Sequence, residues 1–269
     1  SVCHVWWCFD ESWCACTNFN AYEFKTVIDR GITQAKALGS SSTWCLNNHD
    51  QMRPATKYGL RPTVDQIRWK NSAGKTSPLD EKLGVRSAIA ASMLIMALPG
   101  CTYIYQGEEL GLHDVLDIPS DQMQDPQWFR SEGKFKSRDG CRVPLPWEAG
   151  VGASNGFNST GKAWLPQPEI YASYSRDQQE GIEGSTLELY KHALKLRKQL
   201  ALGEGSFEWV DEFVGDNSLG FRNGDILVVH NFGHTPIALP AGEIIASSLH
   251  GMREGHDLVA DQTVWIKSQ

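Results

Sequence analysis

Two stretches of helical spacing, each followed by a short and wholly apolar run, occupy residues 20–105 and leave few folds open. Asn20 stands where a helix cap belongs, with Glu23 three residues on. Phe24, Ile28, Ile32, Ala35 and Leu38 then recur at helical spacing until Gly39 ends the pattern. Residues 43–47 follow as a buried strand. Ser77-Pro78 opens a second helix, with Asp80 and Glu81 in a first turn whose dipole favours acids. Its body, 83–98, is apolar on nearly every side from Ala88 onward, as in a helix packed inside a large protein. Pro99-Gly100 stops it, and 101–105 reads as another buried strand. Helix, strand, helix, strand, with both strands apolar throughout, predicts a parallel α/β sheet.

The first strand ends in Asn48-His49-Asp50, with Arg53 less than one turn further on. A parallel strand therefore delivers an imidazole, a carboxylate and a guanidinium at its C-terminal edge, where α/β folds bind ligands. Such groups suit a sugar: charged partners for vicinal hydroxyls, and a negative charge facing a developing cation. The other reading is a polar strand-to-loop turn with no ligand.

Composition narrows the partners. A net charge of −7 offers no basic face for nucleic acid or an anionic membrane. The longest apolar stretch, 87–105, contains Pro99-Gly100 and has charged neighbours, so a buried helix and strand explain it better than a membrane span. Ten Trp, seven Tyr and ten Phe are enough both to fill a core and to line a carbohydrate site. Four of the seven cysteines, Cys3, Cys8, Cys14 and Cys16, crowd the start of the chain beside His4, but without the paired Cys-x-x-Cys spacing of a zinc site. Cys45, Cys101 and Cys141 read as small hydrophobes. No Asp/Asn-rich loop of calcium spacing occurs, so neither a metal nor a cofactor is expected. With no oxidised framework and no secretory signal pattern, the expected location is cytoplasmic.

A long polar excursion, 106–184, follows the second strand, and stretches of this kind are usually active-site loops or disordered. Trp128, Phe129, Trp147, Phe157, Trp164 and Tyr171 argue against disorder. Ser185 to Glu188 form a capping box that opens a helix to Leu200. After Gly203 the pattern turns to short alternating runs. Runs 219–222 and 226–230 flank an Asn223-Gly224 turn as a hairpin, and 235–239, 243–248 and 263–267 complete a small antiparallel domain. The expected divisions are an anomalous Cys/Trp-rich segment over 1–17, a barrel segment over 18–203 with its loop 106–184, and a β-domain over 204–269. Gly150 to Gly156 misses the dinucleotide fingerprint by one residue and follows no strand.

Four motifs in order carry a resemblance. Trp44-Cys-Leu-Asn-Asn-His-Asp50-Gln-Met-Arg53 resembles the last shared motif of the α-amylase superfamily, after its seventh barrel strand. Pro99 to Leu112 resembles the eighth strand and its loop; Gln124-Asp-Pro and Arg138-Asp-Gly-Cys-Arg-Val-Pro-Leu-Pro-Trp147 resemble the loop of the α-glucosidase and oligo-1,6-glucosidase branch. The closing β-domain is similar to that family's C-terminal sandwich. The resemblance implies the C-terminal part of a (β/α)8 TIM barrel followed by a small antiparallel β-sandwich.

In that family α-glucosidic bonds of short oligosaccharides are hydrolysed with retention: one carboxylate attacks, another carboxyl protonates the leaving oxygen, and water resolves the glycosyl-enzyme. The resemblance makes Asp50 the third carboxylate, stabilising the transition state, with His49 holding a hydroxyl beside it. Arg53, Arg138 and Arg142 would bind substrate, Arg53 otherwise closing a loop by an ion pair, and Asp139 would hold the loop of Arg138. The family's nucleophile and acid/base lie on strands upstream of anything recognisable here, so the chain alone is expected to be inactive and a missing N-terminal barrel segment becomes a partner. Glu108 or Glu109, at the end of the neighbouring strand, would have to approach Asp50 to substitute for them, whereas the resemblance implies a structural role beside the pocket for both. The expected ligand is an α-linked oligosaccharide or glucoside, and the rival readings are a non-catalytic sugar-binding remnant and one half of a split enzyme.

Overall fold

Strand β1 (Val5–Cys8) pairs in parallel with β2 (Ser42–Cys45), and β2 pairs in parallel with β3 (Cys101–Thr102). The structure is a computed structural model and describes residues 5–8, 18–136, 138–253 and 255–267. The parallel sheet expected from the sequence is present, with one strand more than was read: β1 falls inside the segment set apart as anomalous. Cys3, His4, Cys14 and Cys16 lie outside the described residues. Both predicted strands are shorter than their apolar runs, because pairing lasts only while a neighbour runs alongside.

Helix α1 (Ala21–Leu38) begins and ends as its sequence dictates. The Asn20 side chain accepts from the Glu23 N–H, and Gly39 closes the helix at φ 58°, a left-handed conformation that costs residues with a Cβ. Ala21, Phe24, Ile28, Gly31 and Ala35 form its buried face, and Ser42 at the start of β2 donates to the Gly31 carbonyl at 2.8 Å. After β2 come α2 (Pro54–Tyr58), α3 (Gln66–Asn71) and α4 (Glu81–Met96). The cap of α4 is Asp80, whose carboxylate accepts from the Leu83 N–H at 2.9 Å; Ser77-Pro78, predicted to open the helix, precedes it. Gly100 joins α4 to β3 at φ 106°, where a Cβ would stand 2.4 Å from the Ser42 carbonyl oxygen. Cys45 and Cys141 are buried as expected, whereas Cys101 is exposed.

Helices α5 (Pro126–Arg130) and α6 (Thr186–Gln199) bracket a run of short 3-10 turns. The excursion 106–184 is thus not structureless: Leu110, Leu112, Val115, Ile118, Met123, Val143, Leu165 and Tyr171 make a core of their own. Strands β4 (Glu208–Trp209), β5 (Ser218–Asn223), β6 (Ile226–Asn231), β7 (Glu243–Ser247) and β8 (Gln262–Lys267) form one antiparallel sheet ordered β4-β5-β6-β8-β7. The 235–239 run contributes only an isolated bridge, Ile237 to Leu258, and β4 was not foreseen. Asn223 pairs with Ile226, so the hairpin turns on Gly224-Asp225, one residue later than predicted.

The chain divides into two units. One joins the described residues up to 46 with 89–104 and 189–267, and so holds both sheets; the other joins 47–88 with 105–188. In the first unit Thr263 and Trp265 of β8 donate to the carbonyls of Ala90 and Met93 in α4, at 2.6 and 3.1 Å. The residues singled out for chemistry all lie in the second. No helix among the described residues is long and apolar enough to cross a membrane.

Candidate functional site

The chain turns sharply as it leaves β2. The Asn48 side chain accepts from the Asp50 N–H at 2.8 Å, and the Asn48 carbonyl accepts from the Gln51 N–H at 3.2 Å. This Asx turn throws the side chains of His49 and Asp50 outward; they are 66% and 41% exposed. Three cationic or ionisable groups converge on one oxygen. Asp50 Oδ1 accepts from Arg142 Nη2 at 2.6 Å and from Arg138 Nη1 at 2.9 Å, and His49 Nε2 stands 3.5 Å away.

Each arginine is held from behind. Arg142 donates through Nε to the His49 carbonyl at 2.7 Å, so one guanidinium fixes both the backbone and the side chain of the turn. Arg138 is gripped by Asp125, whose carboxylate is fully buried: Nε to Oδ2 at 2.7 Å, Nη2 to Oδ1 at 2.9 Å, and the Arg138 backbone N–H to Oδ2 at 2.9 Å. The two-pronged pairing holds the Asp125 carboxyl well below the usual carboxylate range and raises the Arg138 guanidinium further above its own. Asp139 supports the clamp as the loop-holding residue, accepting from the backbone N–H groups of Gln124 and Asp125 at 2.7 and 3.0 Å.

Arg53, predicted at the substrate, is placed elsewhere. It is fully buried, donating to the carbonyls of Gln106 and Cys141 at 2.8 Å each, while its backbone N–H donates to Asp114 Oδ2 at 2.7 Å. It ties the chain after β3 to the Arg138–Arg142 loop. Gly107, at φ 93°, is needed for this, since a Cβ there would meet Arg53 Nη1 at 2.5 Å. Glu108 and Glu109 do not join Asp50 in the interactions described: Glu108 Oε1 accepts from the Tyr105 N–H at 3.1 Å, and Glu109 Oε2 accepts from the Gly107 N–H at 2.7 Å. Burial pushes the Glu108 carboxyl up to about 8, against a smaller opposing pull from that N–H and from Arg53. No group of three His, Cys, Asp or Glu among the described residues is arranged to hold a metal.

His49 and Arg142 form part of the wall of a cleft of about 670 Å³, within the range of small-molecule sites. Gln106 joins them; the rest of the lining is Tyr105, Pro144, Leu145, Trp147, Phe157 and Trp164. Of the predicted site residues, then, His49, Asp50, Arg138 and Arg142 are brought together, and Arg53 lies behind them. Asp125 and the aromatic wall were not foreseen as site residues. Trp147, Phe157 and Trp164 carried a signal, because they sit among Gly, Asn, Ser and Pro with no helical or strand period that would give them a core face. Asp125 carried none beyond its place in Gln124-Asp-Pro.

The family model described as alpha amylase, catalytic domain, matches residues 9–205. The salivary alpha-glucosidase of Aedes aegypti is 29% identical over 230 residues, which are 82% of this chain and 34% of the relative. An oligo-1,6-glucosidase of Parageobacillus thermoglucosidasius is 27% identical over 237 residues, 80% of this chain and 38% of the relative. Among solved structures, that of an alpha-glucosyl transfer enzyme, XgtA, matches with a TM-score of 0.69 at 28% identity, over 97% of this chain and 45% of that one. The chain spans about a third of the length of the curated relatives it matches. With three-quarters of its residues under the family model, the chain belongs to the alpha-amylase family.

Proposed function

We propose that the chain carries the glucose-binding part of an α-glucosidase-type site, for retaining hydrolysis of α-glucosidic bonds in short oligosaccharides or glucosides. The observation that carries the reading is the convergence of Arg142, Arg138 and His49 on Asp50 Oδ1 beside the cleft. A carboxylate held in place by two guanidiniums accepts from vicinal sugar hydroxyls while its charge favours the oxocarbenium-like transition state. His49, two-thirds exposed, binds a hydroxyl beside it. Arg142 contacts the sugar from the cleft wall, Arg138 holds Asp50, and Arg53 positions both loops from within.

A retaining site needs two carboxyl groups about 5–5.5 Å apart. Glu108 and Glu109 each accept from local backbone N–H groups, which favours a nucleophile and an acid/base supplied by an N-terminal barrel segment. On this reading residues 18–203, with loop 106–184, are the C-terminal part of a (β/α)8 barrel, residues 204–269 its β-sandwich domain, and the protein is cytoplasmic and works without a cofactor. The same commitment of the two glutamates supports a second reading, a sugar-binding remnant without catalysis. Hydrolysis of a nitrophenyl α-glucoside separates them. Turnover should be absent from the chain alone and appear when the N-terminal half of a relative's barrel is co-expressed with it, then vanish in Asp50→Asn. Binding without turnover in every combination supports the remnant, and turnover by the chain alone contradicts the division of labour.

A further inference from the structure

Cys141, read from the sequence as a small hydrophobe, is fully buried, yet its thiol has polar partners. Sγ shares its hydrogen between the carbonyls of Arg138 and His49, at 3.1 and 3.3 Å. One thiol thus touches both the turn that carries Asp50 and the loop that carries the two guanidiniums. The His49 carbonyl, which also accepts from Arg142 Nε, belongs to the planar peptide that joins His49 to Asp50. The N–H of that same peptide donates to Asn48 Oδ1 at 2.8 Å. Both edges of the plane are tied, and the plane sets the direction in which the Asp50 side chain leaves the backbone. Cys141 itself has a fixed seat. Its carbonyl accepts from Arg53 Nη2 at 2.8 Å and from the Tyr105 hydroxyl at 3.1 Å. The carbonyl of Gly140 accepts from the Val115 N–H at 3.0 Å, and a Cβ on Gly140 would stand 2.6 Å from the Val115 carbonyl oxygen. Burial, helped by the charge of Asp114, pushes the Cys141 thiol up to about 12, so it keeps its hydrogen at neutral pH.

We propose that Cys141 is a positioning residue for Asp50: its S–H fixes the His49–Asp50 peptide plane, and through that plane the aim of the carboxylate that grips the sugar. The inference rests on the glucose-binding reading of Asp50. A space-filling role and a donor role rank two variants in opposite order. Filling alone favours Cys141→Ala over Cys141→Ser, because a hydroxyl costs more to bury than a methyl. A donor role favours serine, whose O–H replaces the S–H, and alanine leaves the His49 carbonyl with Arg142 alone.

Titration calorimetry of methyl α-glucoside against the full chain and both variants tests this. Cys141→Ala should weaken binding about threefold, as loss of one weak sulfur donor does, and Cys141→Ser should restore the native affinity. Alanine binding as tightly as the native chain, or serine binding more weakly than alanine, overturns the proposal. Amide hydrogen exchange followed by NMR gives a readout that needs no sugar. The Asp50 N–H and the Arg142 Nε–H should exchange faster in Cys141→Ala and at the native rate in Cys141→Ser, and equal rates in all three proteins overturn the positioning role. Failure of methyl α-glucoside to bind the native chain counts against the glucose reading instead, and the exchange rates still decide about Cys141. Should Cys141→Ala not fold, Cys141→Ser decides alone: native exchange at both hydrogens supports the donor, and faster exchange overturns it.

Discussion

Asp50 offers one oxygen to two guanidiniums, and the geometry holds because each arginine has a second anchor: Arg142 the His49 carbonyl, Arg138 the buried Asp125. Asp125→Asn keeps the shape but loses the charge, and it should destabilise the protein by about 1.5–3 kcal/mol at pH 7, the worth of hydrogen bonds to charged groups. The sign with pH follows from a carboxyl depressed in the fold. Its contribution is whole above the ordinary value near 3.9 and is lost as pH falls below it. Urea denaturation of both proteins should therefore show the gap closing below about pH 4. Glu108 runs the other way. Raised from 4.5 to about 8, it costs nothing at pH 4 and progressively more as pH rises toward 8, where the unfolded chain is ionised and the folded one resists. Glu108→Gln should gain on the native protein between pH 5 and pH 8 by up to about 3 kcal/mol; a gap of the same size at both pH values contradicts this. Asp50, His49, Arg138 and Arg142 were legible because they stand in recognisable motifs. Asp125 was not, since what marks it is a partner thirteen residues away, beyond helix α5, which no local spacing announces. Arg53 reads in sequence like its neighbours, and only burial separates it from them.

At the scale of elements, caps and periods told the truth where a helix had both. The span of α1 follows from Asn20, its apolar stripe and Gly39, and the Ser185 half of the α6 capping box is made, with Oγ accepting from the Glu188 N–H at 3.3 Å, while the Glu188 carboxylate accepts from the Gly181 N–H at 2.9 Å. The hairpin after β5 slipped by one residue because Asn223 is occupied elsewhere. Its side-chain amide donates to the carbonyls of Ala97 and Leu202 at 2.7 and 2.9 Å, and that tertiary use outweighs its turn propensity. Strands β2 and β3 came out short because an apolar run does not by itself supply a paired neighbour, and the run 101–105, expected as a buried strand, has no buried residue. Gly84 in α4 gives a test in which the sign matters. In an exposed helix Gly→Ala stabilises by about 1 kcal/mol. Here a Cβ would lie 1.9 Å from the Ala55 carbonyl oxygen of α2, a backbone atom. Gly84→Ala should lower the melting temperature, by more than 5 °C in a thermal scan, while an unchanged or raised melting temperature would show that α2 moves aside freely.

The molecule as a whole presents a parallel sheet whose outer strands, β1 and β3, each pair on one side among the described residues, and an antiparallel sheet that donates to α4 through Thr263 and Trp265. Exposed strand edges invite pairing with other chains. Under the proposed reading, co-expression with an N-terminal barrel half should raise soluble yield several-fold, as size-exclusion chromatography measures, and equal yield with and without it contradicts the need for a partner. The family was legible because four motifs kept their order. The cleft was not, because its aromatic wall comes from loop residues 144–164 whose approach to His49 no local pattern encodes. Binding of methyl α-glucoside to the soluble chain and to its Asp50→Ala variant, followed by calorimetry, bears most directly on the central claim. The account predicts saturable binding by the native chain and at least a tenfold loss in the variant; no binding by the native chain, or equal binding by both, would contradict it.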